Sequence, residues 1–85
     1  MNLNDLIALK ILKIGEEIIW NRKSQRISHI AFIVEGGKMR TTDGILHKTP
    51  SGAARHLNNN MPVNGWRVWK LKGSRKSLDS LRKIV

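Results

Sequence analysis

The stretch RISHIAFIVEGGKMRTTDGILHKT, Arg26 to Thr49, decides the fold. Along an extended chain its opening places Ile30, Phe32 and Val34 on one face and Ile27, Ala31 and Ile33 on the other. Both faces are apolar over the second half, which puts this strand in the middle of a sheet. Gly36-Gly37 and Asp43-Gly44 are hairpin signals on either side of KMRTT, and ILHKT is the returning strand. Upstream, EEIIWNR carries the β-branched and aromatic residues of another strand, joined to the first through the polar turn NRKSQ. Together these segments predict a four-stranded antiparallel meander.

Helices are expected on both sides of it. Leu6, Leu9 and Leu12, widened by Ile7 and Ile11, recur at helical spacing, so a helix is expected over residues 5–13 with Asn4 as its cap and Gly15 closing the run. After the meander, Thr49 can cap a second helix with Pro50 at its first position and Ala53, Ala54 and Leu57 as its apolar stripe. Asn58 to Asn60 end it. Asn64-Gly65 then turns into WRVWKLK, which reads as a strand, and Ser77 caps a last helix marked by Leu78, Leu81 and Val85. The expected fold is α+β, a small antiparallel sheet of four to five strands flanked by short helices, forming a single domain over residues 1–85.

Composition narrows what such a domain can meet. Sixteen Lys and Arg against six Asp and Glu give a formal charge of +10, which favours an anionic partner. From Gly44 to Leu78 there is no acidic residue, yet Lys48, Arg55, Arg67, Lys70, Lys72, Arg75 and Lys76 lie within that segment. A second basic group, Arg22, Lys23 and Arg26, marks the first hairpin turn. The absence of cysteine excludes a disulfide framework, a thiolate nucleophile and a Cys-ligated zinc. The N-terminus has no basic segment ahead of its apolar run, and no apolar run nears the ~20 residues of a membrane helix. A cytoplasmic protein without a membrane partner is expected.

Catalysis finds little support. His29, His47 and His56 lack metal-ligand spacing, although His29 and His47 could meet across the sheet, and the six acids sit mostly at caps and turns. No catalytic residue, cofactor or metal is expected. The helix start at Thr49, Ser51 and Gly52 has two readings: a plain cap, or hydroxyls and N–H groups that hold a phosphate oxygen beside Arg55. Trp66 and Trp69 cannot share a face of a regular strand, because their separation is odd. Trp69, with Leu71 as its companion, is expected inward. Trp66, beside Asn64-Gly65, is either rim packing or an indole able to stack on a base.

TPSGAARHL followed by VNGWRVWKL and KSLDSLR resembles the RAMA domain, the restriction enzyme and adenine methylase associated module, and DLIALKILKIGEEIIWNRK is similar to that family's opening. The matching positions are Thr49, Pro50, Ser51, Ala53, Ala54, Asn64, Gly65, Trp66 and Trp69, while Ile14 stands where the family often has proline. The resemblance implies a small α+β module, attached in that family to methyltransferases and restriction or chromatin proteins, that recognises modified DNA, particularly N6-methyladenine. Double-stranded DNA is thus the expected partner, contacted by Thr49, Ser51, Gly52, Arg55, Asn64, Trp66, Arg67, Lys70 and Lys72. A restriction or methyltransferase protein is the second expected partner, and the alternative role is a basic adaptor or accessory subunit of such a complex.

Overall fold

The computed structural model describes residues 2–83. Its frame is the expected meander: β1 (Glu17–Arg22), β2 (Ile27–Val34), β3 (Lys38–Thr41) and β4 (Leu46–His47) pair antiparallel in turn. A fifth strand, β5 (Lys70–Leu71), joins on the far side of β1, so the order is β4-β3-β2-β1-β5 and β2 is central. The two hairpin signals act through backbone geometry, with Gly36 at φ 79° and Gly44 at φ 85°, a region that side chains resist.

Register sorts the side chains. Ile18 pairs with Ala31, Ala31 with Thr41 and Ile33 with Met39. These residues and Trp20 form the inner face, and all are buried. Against them pack α1 (Leu3–Ala8) through Leu3 and Leu6, α2 (Pro50–Leu57) through Ala53 and Ala54, and α4 (Leu78–Arg82) through Leu78 and Leu81, with α3 (Gly65–Val68) adding the partly buried Trp66 and Val68. The result is a small α+β fold with its core on one side of the sheet. No helix among the described residues is long and apolar enough to cross a membrane.

Two expectations need correction. The first helix starts and stops early: Asn2, not Asn4, is its cap, with the Asn2 side chain accepting from the Asp5 N–H at 3.0 Å and the Asp5 carboxylate accepting from the Asn2 N–H at 2.9 Å. Lys10 then takes a left-handed φ of 62°, and the Ile11 N–H bonds back to the Leu6 carbonyl at 3.0 Å. This reversal brings Leu12 into the core and leaves Leu9 half exposed.

The second correction concerns WRVWKLK, which is not a continuous strand. Gly65–Val68 is one turn of helix, closed by the Trp69 N–H on the Gly65 carbonyl at 3.1 Å, and only Lys70–Leu71 extends along β1. Valine and tryptophan favour strands, but packing overrides that preference here, as described below. The last helix begins as expected, with the Ser77 hydroxyl accepting from the Ser80 N–H at 3.2 Å; Val85 lies outside the described residues.

Candidate nucleic-acid interface

The start of α2 and the turn of α3 are locked together. Thr49 Oγ1 accepts from the Gly52 N–H at 2.9 Å, which caps α2. Ser51 Oγ accepts from the Gly65 N–H at 3.1 Å, and the Trp69 indole Nε1–H donates to the Pro50 carbonyl at 3.1 Å. Gly65 lies so close to α2 that an added Cβ would come within 2.1 Å of the Pro50 carbonyl group. The Thr-Pro-Ser and Asn-Gly-Trp motifs are therefore two halves of one joint. Two of the groups that could cradle a phosphate, the Gly52 N–H and the Thr49 hydroxyl oxygen, bond to each other. Arg55 is exposed and its Nε–H donates to the Asn60 carbonyl at 3.0 Å.

This joint predicts unequal losses. Thr49→Ala removes only a cap and is expected to cost about 1 kcal/mol. Ser51→Ala leaves the part-buried Gly65 N–H without its acceptor and is expected to cost about 1 to 3 kcal/mol. Paired chemical-denaturation curves check the order; Thr49→Ala as the costlier change would contradict it.

The cations gather elsewhere. Because β5 pairs with β1 only at Ile18 and Ile19, the edge of β1 beyond them is open, and a recess of about 680 Å³ forms there. Ile19, Trp20, Val68 and Leu71 supply its apolar lining, and Lys23, Arg67, Lys70, Lys72 and Arg75 surround it. Lys72 Nζ also lies 3.1 Å from the Glu17 carboxylate. Arg67, Lys70 and Lys72, expected from the sequence, thus meet Arg75 from the following turn and Lys23 from the first hairpin.

A family model described as Restriction Enzyme Adenine Methylase Associated matches residues 1–85, the whole chain. The chain belongs to the RAMA family. That family is associated with restriction enzyme and adenine methylase systems. No curated protein matches the chain.

Within this RAMA fold the two tryptophans part as the sequence suggests. Trp69 is fully buried, its ring set edge-on to Trp20 at 6.0 Å between centroids. Trp66 is half-buried, and the Arg82 guanidinium sits 4.0 Å over one face of its ring. Arg82 is held in turn by Asp79, whose pKa that contact lowers. A base stacking on the covered face of Trp66 has to displace Arg82. Asn64 is exposed next to it.

His29 and His47 do not meet across the sheet, because β3 lies between the strands that carry them. His47 instead lies against His56, with ring centroids 4.9 Å apart, and His56 Nε2 is 2.6 Å from the Asp43 carboxylate. That contact and the hydroxyl of Thr41 bring the Asp43 pKa down to about 2. His29 packs on Trp20, and its Nε2 is buried without a partner. Among the described residues no three His, Cys, Asp or Glu side chains form a cluster able to hold a metal ion.

Burial, reinforced by Arg22 beside His29 and by His56 beside His47, holds both imidazoles below the ordinary value of 6.5. Both are therefore neutral in the folded chain at pH values where the unfolded chain takes up protons. Stability is expected to be complete above about pH 6.5 and to fall as the pH drops from there toward the folded-state values. Thermal melts between about pH 7.5 and 5.5 measure this; a melting temperature that stays flat or rises on acidification would contradict it.

Proposed function

We propose that this chain is a non-catalytic RAMA module that binds duplex DNA and reads N6-methyladenine within a restriction or methylation system. The observation that carries the reading is the recess ringed by Lys23, Arg67, Lys70, Lys72 and Arg75 on a chain of charge +10. Lysine and arginine side chains spaced around an open edge suit successive phosphates, which fix position, while base contacts specify. Asn64 and Trp66, on the turn that carries Arg67, are the proposed readers, and Arg55 with the hydroxyl groups of Thr49 and Ser51, each still able to donate, extends the contact along the start of α2. The non-catalytic part of the reading is supported by four of the six acids: Asp5 completes the capping box of α1, Glu17 faces Lys72, Asp43 holds His56 and Asp79 holds Arg82. None of these four is poised as a general acid or base.

The test is a titration of the purified chain against two duplexes of one sequence, one carrying N6-methyladenine. The modified duplex is expected to bind about tenfold tighter, the order of a good base contact. Equal affinities would remove the reading of the mark, and no binding to either duplex at low salt would remove the DNA-binding proposal itself.

A further inference from the structure

The sheet has a second face. Ile19, Ile30, Phe32 and Val34 alternate with the core residues of β1 and β2, and they are neither members of the core cluster nor among the side chains packed against it. Cross-strand register sets Val34 beside Lys38, Phe32 beside Arg40, and Arg40 beside Leu46. At this end of the face a shallow groove of about 500 Å³ is lined by Val34 and Leu46, with Lys38, Arg40 and Glu35 around them. Leu46 is 55% exposed.

We propose that this groove docks an acidic amphipathic helix of a protein partner. The helix would seat apolar side chains on Val34, Phe32 and Leu46 and direct carboxylates to Lys38 and Arg40. An apolar centre with a charged rim is the ordinary anatomy of a protein interface. Helix geometry also suits it: neighbouring strands lie about 4.8 Å apart, and one helical turn rises about 5.4 Å. A helix lying across β2, β3 and β4 therefore offers one residue per strand at a spacing of three to four. Charge selects the occupant. A second copy of this chain brings another +10 and is repelled. Nucleic acid would find cations here in Lys38 and Arg40, but Phe32 is half-buried and the aliphatic Val34 and Leu46 suit apolar side chains, not bases; on a lipid surface the flanking Glu35 would be repelled by anionic headgroups. The inference stands apart from the DNA reading, because Lys38, Arg40 and Leu46 do not line the basic recess.

The experiment selects peptides from a displayed random library on the purified chain and titrates the enriched ones in solution. Enriched peptides are expected to be acidic, with apolar residues three or four apart. Leu46→Gln should weaken their binding at least about tenfold while leaving the affinity for duplex DNA within about twofold. The double variant Lys38→Glu, Arg40→Glu should lose the same peptides and accept versions whose acids are replaced by lysine, which keeps the test open if Leu46→Gln fails to fold. The proposal is overturned if enrichment favours basic or uncharged peptides, or if bound peptides ignore both variants. It is equally overturned if Leu46→Gln abolishes instead a self-association of the chain or its sedimentation with phosphatidylglycerol vesicles.

Discussion

Trp69→Ala is expected to lower the stability of the domain by about 3 to 5 kcal/mol. Trp69 is fully buried, meets Trp20 edge-on and donates its indole N–H to the Pro50 carbonyl, so truncation leaves both a cavity and an acceptor without its donor. Small domains hold a total stability of only about 5 to 15 kcal/mol, and an 85-residue chain has few other contacts to make good the loss. Trp66→Ala should cost clearly less, because that ring is only half-buried, at the margin of the core, with the Arg82 guanidinium over one face. Urea denaturation of the two variants decides the matter. If Trp66→Ala is the more damaging, or if Trp69→Ala melts with the parent, the joint between α2 and α3 does not hold the fold.

The second large effect is on binding. Arg67→Gln, Lys70→Gln and Arg75→Gln together remove three of the five cations at the recess, and Lys72 is spared because it faces Glu17. Each lost phosphate contact removes about 0.9 from the magnitude of the salt slope and about tenfold in affinity at 0.1 M salt. The triple variant should therefore bind duplex DNA about 10² to 10³-fold more weakly, with a slope shallower by nearly three. Its melting curve should move little, since all three side chains are exposed. Undiminished binding by a folded triple variant would place the DNA face elsewhere.

The contrast between these residues explains what the sequence could reveal. The continuous apolar run at Ile30 to Val34 and the glycine turns made the meander legible, because a short β-branched and aromatic run bounded by turn residues, and positive φ at glycine, are local signals. The turn of helix at Gly65–Val68 was not legible, since its cause lies on another element: the Pro50 carbonyl, which Gly65 abuts and the Trp69 indole bonds. The three-residue separation of Trp66 and Trp69 was the one available hint. Likewise the early end of the first helix rests on a left-handed Lys10, which no glycine announces. Among the basic residues, Arg67, Lys70 and Lys72 stood out through the acid-free segment. Lys23 joins them only because β1 and β5 are neighbours, a pairing between distant parts of the chain.

The central claim, that this RAMA domain is an electrostatic duplex binder, is tested most directly by measuring the affinity of the unmodified chain for one duplex across a salt series. With about 4 to 6 phosphates neutralised, log K should fall linearly with log salt at a slope of about −4 to −5, a loss of roughly 300- to 1,000-fold between 50 and 200 mM. A flat response, or no binding at the lowest salt, would contradict it.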